Sequence, residues 1–358
     1  MANGRRVMAV GLGAAMDRLR VLVLGLGFFG KHWLKEIASC SECEVAGVVA
    51  KHPDLLAWAG EEFKIPASRR FATIAEGLER TEAHAVVVAL PEMLHKEAIL
   101  AALGRGLHVL TEKPLVMTMT EAREVVRAAR GAKGSTLMVD QNYRWRPQTQ
   151  TLRKALRDGR VGTIASIGYE FRQAITRKTT DGWREKMAHP FLQDMAPHHF
   201  DLMRACTGLE CRQVMAVGVR PPWSWYQGLP GVDAILSFEQ GVSVAYTGTM
   251  VGRGLGTPQD GIITVMGEQG MLRLEADSQV RWYDDKGASE VMPPAPLSFT
   301  DQAYALREFL AAVREGGKPE THLEDNVRTL AIVEAAIISV ETGMPVAVAP
   351  LVTEVLKT

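Results

Sequence analysis

Three groups of residues in this sequence could do chemistry. The first is Gly25-Leu26-Gly27-Phe28-Phe29-Gly30, a G-x-G-x-x-G. It follows the apolar run RVLVLG at 20–25 and opens a stretch of helical spacing, FGKHWLKEIAS. In that context Gly25 permits a tight turn, Gly27 lets backbone approach a pyrophosphate, and Gly30 lets helix and strand pack closely. The anion would sit on free N–H groups at the positive end of the helix dipole. Phe28 and Phe29 belong to the same loop. Ala50 and Lys51 end the second strand, where a ribose-reading acid is expected. None is present, and the nearest is Asp54 beyond Pro53, so the residues favour NADP over NAD as the NAD(P) cofactor. Leu90 and Pro91, which stop the third apolar run, complete the expected cofactor cleft.

The second group is Glu112-Lys113-Pro114, at the end of LHVLTEKP. A lysine at the carboxyl edge of a parallel strand can stabilise a developing alkoxide or polarise a carbonyl. Glu112 and Lys113 both border the expected cleft, and Lys113-Pro114 is a candidate cis bond. The third group is Asp194 and His198, four apart in LQDMAPHHFDLMRACTG. That segment reads as one helix with Asp194 as N-cap, Pro197 in the first turn and Gly208 as stop. A carboxylate one turn from an imidazole can fix its tautomer and stabilise its charged form, as suits a general base. His199 and Asp201 follow on the same helix. Arg144, Trp145, Trp183 and Arg184 are candidate pocket residues, because hydroxyl-rich ligands favour fixed polar donors beside aromatic faces.

Elements that could position these groups alternate over the first half. Apolar runs at 20–25, 44–50, 83–90, LHVLTE and 135–143 read as buried parallel strands. Helical stretches lie between them, one capped by Thr118 or Thr120 with Glu121 completing a capping box. This predicts a doubly wound α/β Rossmann domain over 16–143, with helices on both faces of a parallel sheet. From about 150 the pattern changes to paired strands at 163–172, 234–250, 261–276 and 280–285, with EQG and GEQG turns. Residues 144–358 therefore read as an α+β domain with a large open, mainly antiparallel sheet. It closes with helices near 303–315 and 324–343 that could return to the first domain.

Composition excludes several classes. Lys+Arg and Asp+Glu both total 41 among 358 residues, so the net charge is zero and no nucleic acid partner is expected. The 47% hydrophobic content suits a globular chain. No run of 18 apolar residues exists, so no membrane span is expected. The four cysteines include a lone C-x-x-C, Cys40 and Cys43, without a second close pair, so no metal site is expected and a reducing cytoplasm is the natural location. Residues 1–15 read as a tail outside the fold. Their GLG at 11–13 lacks a third glycine, and Arg5-Arg6 only loosely imitates an export signal.

Together, GLGFFG, ALPEMLHKEA, GLHVLTEKPL and DMAPHHFD, in this order and spacing, resemble the glucose–fructose oxidoreductase and inositol dehydrogenase family, Gfo/Idh/MocA. The resemblance spans about 18–350. It implies hydride exchange at nicotinamide C4 with a sugar, inositol or related polyol. It also implies a homodimer or homotetramer assembled through the second sheet. By motif Lys113 resembles the family's active-site lysine, His198 its acid/base and Asp194 the partner of that histidine. His95 resembles a position lining the cofactor cleft. Two departures bear on the substrate: His189-Pro190-Phe191 replaces small glycines, and Ala196 stands where glycine is frequent. The alternatives are a redox-neutral NAD(P)-dependent glycosidase or lyase using transient oxidation, and a non-catalytic dinucleotide sensor. The latter is disfavoured by the intact lysine–histidine set.

Overall fold

The computed structural model describes residues 18–175 and 182–357, so the tail over 1–15 lies outside the described residues. Strands β1 (Leu19–Leu24), β2 (Cys43–Val49), β3 (Arg70–Phe71), β4 (Ala85–Val88), β5 (His108–Glu112) and β6 (Leu137–Asp140) form one sheet in the order β3-β2-β1-β4-β5-β6. Every pairing in it is parallel. Helices α1 (Phe28–Ser39), α2 (Pro53–Phe63), α3 (Ile74–Arg80), α4 (His95–Leu103) and α5 (Met119–Gly131) connect the strands. Covered on both faces, β4 and β6 are buried at every residue, which is why their sequences are unbroken apolar runs until Asp140. The strand order reverses between β1 and β4, and a ligand crevice opens at such a switch point above the carboxyl ends. Thr118 caps α5 by accepting from the Glu121 N–H, as the capping pattern predicts. The Glu121 carboxylate reaches back one residue farther, to the Met117 N–H.

The second sheet has nine strands: β7 (Ile164–Arg172), β8 (Cys211–Val219), β9 (Gly231–Phe238), β10 (Ser243–Thr249), β11 (Ile262–Gly267), β12 (Gly270–Leu274), β13 (Val280–Tyr283), β14 (Ser289–Val291) and β15 (Val346–Ala347). They run in the order β14-β13-β12-β11-β7-β10-β9-β8-β15. The sheet is mixed rather than wholly antiparallel, because β7 and β10 pair in parallel. The long connection between those two strands lets the chain return in the same direction, which a hairpin cannot do. Along β9 buried and exposed residues alternate, with Val232, Ala234, Leu236 and Phe238 facing the helices. Those helices are α6 (Pro147–Arg157), α7 (Trp183–Lys186), α8 (Pro190–Asp194), α9 (Ala196–Thr207), α10 (Asp301–Glu315), α11 (Leu323–Thr342) and α12 (Val348–Leu356).

One expectation changes. The segment containing Asp194 and His198 is not one helix, and Asp194 is not an N-cap. It ends α8, and Met195 precedes α9. In one continuous helix Pro197 would have no N–H for the Gln193 carbonyl and its ring would crowd that oxygen, so the helix breaks before it. Gly208, at φ +70°, then stops α9 as expected. Leu306, Phe309 and Leu310 of α10 share one core with Val21, Trp33 and Trp145, so the chain returns to the first domain after building the second. All four cysteines are free and buried. Among the described residues no helix is long and apolar enough to cross a membrane, and no group of acidic, His or Cys side chains is arranged to hold a metal.

Arg144 fixes where α9 sits. Its guanidinium makes two 2.6 Å bonds to the Asp201 carboxylate, and reaches Asp325 at 2.7 Å and Glu320 at 3.0 Å. Arg204 extends the network to Asp325 and Glu210, each at 2.8 Å. Arg144 is therefore a structural cation joining the end of β6 to α9 and α11, and not a pocket residue. Removing it leaves Asp201 buried without its fork. We expect Arg144→Ala to lower unfolding stability by about 3–5 kcal/mol in chemical denaturation, the range for breaking a buried pair from one side.

Candidate active site

The glycine loop has three different glycines. Gly25 takes φ +96°, and a Cβ there would lie 2.3 Å from the Ala89 carbonyl oxygen. A Cβ on Gly30 would lie 2.1 Å from the Gly25 carbonyl oxygen. Both positions are closed by packing. Gly27, the N-cap of α1, is different: a Cβ there would meet nothing within 4 Å. The first turn of α1 has no acid and no side-chain cap. These residues fit a dinucleotide diphosphate. Phe28 and Phe29 stand exposed on the loop, edge to face at 5.2 Å. At the end of β2, Ala50 is buried while Lys51 and His52 are exposed, and no carboxylate occupies 50–52.

His95 is fully buried and spans two walls of the crevice. Its Nδ1 lies 2.8 Å from the Pro114 carbonyl and its Nε2 3.0 Å from the Leu90 carbonyl. Burial holds its pKa below the ordinary imidazole value. A neutral ring donates to one of these carbonyls at a time. His95 thus clamps Leu90-Pro91 against the cis Lys113-Pro114 turn, and does not line the cleft with its ring. Glu112 is likewise engaged inside the domain. Its Oε1 accepts from the Trp33 indole at 2.8 Å, and it pairs in register with Asp140 across β5 and β6. Burial pushes its pKa up to about 7.

Lys113 and Asp194 meet between the two domains. Lys113 Nζ donates to Asp194 Oδ1 at 2.9 Å and to the Asp194 carbonyl at 2.7 Å. Both side chains are buried. Burial opposes the charge on each, but their attraction, together with Glu92 near the lysine and Arg184 near the aspartate, wins. Lys113 is raised above the ordinary lysine value and Asp194 is lowered below the ordinary carboxylate value. Arg184 approaches the other face of Asp194, Nε to Oδ2 at 3.2 Å. Asp194 is therefore the counter-ion of Lys113 and Arg184. No hydrogen bond joins it to His198 among the described residues, and the break between α8 and α9 is the reason.

His198 instead lies flat on Tyr143, ring centroids 3.9 Å apart and planes 3° from parallel. Arg146 stacks on the other side of Tyr143 at 3.5 Å, and the Tyr143 hydroxyl donates to Gln259 at 2.9 Å. Burial, then Lys113, then Arg146 hold the His198 pKa well below 6.5. Its Nδ1 is buried without a partner among the described residues. The arrangement can therefore present a neutral imidazole beside a charged, oriented ammonium.

Other expected pocket residues lie elsewhere. His199 is fully buried, its Nδ1 2.7 Å from the Tyr246 hydroxyl, and packs among Tyr169, Phe171 and Phe191. Trp145 stacks on Tyr304 at 4.3 Å inside the first core. Both are structural. Arg184 borders Asp194, and Trp183 is its neighbour on α7: both are partly exposed, and the guanidinium lies 5.1 Å from the Trp183 ring. The expectations omitted Tyr143, Arg146 and Glu92. Tyr143 and Arg146 flank Arg144 in one short motif, and nothing in the spacing says which cation faces the histidine. Glu92 directly follows Pro91 at the sheet edge, a position that could have been read.

The family model described as an oxidoreductase family with an NAD-binding Rossmann fold matches residues 19–141, and the Gfo/Idh/MocA C-terminal domain model matches 149–273. A D-apiose dehydrogenase of Paraburkholderia graminis is 28% identical over 92% of this chain and 90% of its own length. An inositol 2-dehydrogenase of Streptomyces avermitilis is 27% identical over 93% of this chain and 95% of its own. Among solved structures, an oxidoreductase from Agrobacterium radiobacter in complex with NAD+, L-tartaric acid and magnesium superposes with TM-score 0.83 at 21% identity, covering 93% of this chain and 99% of that one. The open space at Gly27 yields a direct test. Gly27→Val should leave the unfolding midpoint nearly unchanged, because its Cβ meets no atom. It should weaken NAD(P)H binding at least tenfold in a fluorescence titration.

Proposed function

The chain belongs to the Gfo/Idh/MocA oxidoreductases, and from that premise we propose that it transfers a hydride between nicotinamide C4 of NAD(P) and a secondary alcohol or ketone of a sugar, inositol or related polyol. The observation that carries the reading is the charged Lys113 held by Asp194 beside the neutral His198. Bound NAD(P) supplies the hydride acceptor or donor. Lys113 gives two of its three N–H groups to Asp194 and keeps a third for the substrate oxygen. In the oxidising direction that bond stabilises the oxygen as its proton leaves. His198, uncharged near neutral pH, takes that proton on its imidazole. In the reducing direction the same groups polarise the carbonyl and return the proton. Asp194 is a positioning residue for Lys113 in this account.

We assign NADP as the preferred cofactor, supported by the exposed Lys51 and the missing carboxylate at 50–52. The sugar or polyol class is supported by the names of the relatives above. A cytoplasmic location suits the four free thiols. A homodimer or homotetramer through the second sheet is supported by its outer face, where Val217 and Ile235 are 60% and 55% exposed beside Met215.

A panel of sugars, inositols and sugar acids assayed separately with NAD and NADP tests the activity. Net absorbance change at 340 nm is expected for at least one neutral polyol. Substrate consumption without it would favour the redox-neutral lyase or glycosidase reading. Lys113→Met and His198→Asn should each lower kcat by about 10²–10⁴-fold while leaving NAD(P)H affinity within a few fold. Val217→Lys combined with Ile235→Lys should lower the mass in analytical ultracentrifugation to that of a smaller assembly.

A further inference from the structure

Glu92 is the one carboxylate of the ionic cluster that has no assigned work. It follows β4 at the carboxyl edge of the sheet, beside β5 and Lys113. Its side chain is 10% exposed, and its Oε2 is buried with no hydrogen-bond partner. Oε1 lies 4.0 Å from Arg184 Nη2, too far for a hydrogen bond. Arg184 Nε lies 3.2 Å from Asp194 Oδ2, an ion pair without hydrogen-bond alignment, and Nη2 is the guanidinium nitrogen nearest Glu92. An acceptor and a set of donors thus stand close together without being joined, next to the lysine that would hold the reacting oxygen. A buried acceptor left unpaired carries a desolvation penalty that a ligand hydroxyl would relieve. Burial and Asp194 raise the Glu92 pKa, and Lys113 and Arg184 pull it back.

We propose that Glu92 and Arg184 read the hydroxyl adjacent to the reacting carbon, Glu92 accepting its hydrogen and Arg184 donating to its oxygen, so that the site selects neutral vicinal diols. The inference rests on the hydride-transfer reading above and names the substrate feature that reading leaves open. The charges support a neutral ligand. Lys113 and Arg184 are balanced by Asp194 and Glu92, and Arg146 by Asp260 and Asp301, so among the described residues of the cluster each cation has a carboxylate of its own. A carboxylate beside Glu92 would meet like charge.

The test is an enzyme–substrate cycle. The wild type, Glu92→Leu and Glu92→Gln are assayed on D-glucose against 2-deoxy-D-glucose, and on myo-inositol against a monodeoxy-inositol lacking the neighbouring hydroxyl. In the wild type, loss of that hydroxyl should cost on the order of 10- to 100-fold in kcat/KM. In Glu92→Leu the penalty should fall below about threefold, with Glu92→Gln between. D-glucuronate should improve relative to D-glucose in both variants. An equal loss on diol and deoxy substrates would make Glu92 merely structural and overturn the inference, as would an unchanged penalty. Turnover of neither pair by the wild type would instead contradict the polyol activity itself, and the inference with it. Circular dichroism of Glu92→Gln, which keeps the side-chain volume, separates a folding defect from a lost contact.

Discussion

The site depends on the ion pair between Lys113 and Asp194. It joins a strand end of the dinucleotide domain to a short helix of the second domain. Two charges taken out of water cost several kcal/mol each, and only good geometry with further hydrogen bonds offsets this. Here the ammonium binds both the carboxylate and the carbonyl of the same residue, at 2.9 and 2.7 Å. Arg184 supplies a second cation to the aspartate. The pair thereby ties the end of β5 to α8, and it keeps the lysine charged and aimed. Much of the surrounding architecture serves this junction. Pro197 breaks the helix so that Asp194 turns to Lys113, while His95 ties the two cleft walls behind it.

Electrostatics then separates two roles that a carboxylate–histidine dyad would merge. Lys113 is raised and His198 is lowered, by causes that reinforce each other. Burial acts first on the imidazole, and the nearby lysine and Arg146 disfavour a further positive charge. A histidine paired with Asp194 would instead have its charged form stabilised and would titrate higher. The Tyr143 ring is stacked on the face of His198, with Arg146 over the same tyrosine ring. Since the imidazole is buried neutral, unfolding lets it charge below 6.5. It therefore contributes stability that is present above that pH and lost as pH falls.

Much of this was legible in the residues. The apolar runs that end at Gly25, Pro91 and Pro114 located the parallel strands and their carboxyl edge, because strands covered on both faces leave no alternation to misread. The glycine loop and Lys113 followed from that edge, and His198 was picked out by its spacing from Asp194 and by the family resemblance. The partner of Asp194 was not legible, since spacing of four suggests a shared helix face and only the break at Met195 removes it. Arg144, Trp145 and His199 looked like pocket residues by type. Their true partners, Asp201, Tyr304 and Tyr246, are 57, 159 and 47 positions away in the sequence, beyond the reach of local pattern. Helix α6 was missed because its polar sequence buries few large apolar residues, and β8 because no hairpin turn introduces it.

The most direct measurement of the central claim is the pH profile of kcat/KM for Asp194→Asn beside the wild type. If Asp194 serves the lysine, the wild type keeps its rate to the highest accessible pH. The variant then shows a new alkaline limb, displaced downward by about one unit or more as Lys113 loses its counter-ion, while the acid limb set by His198 stays in place. An acid limb that moves by that amount, with an unchanged alkaline side, would show that Asp194 serves the histidine and would contradict the account.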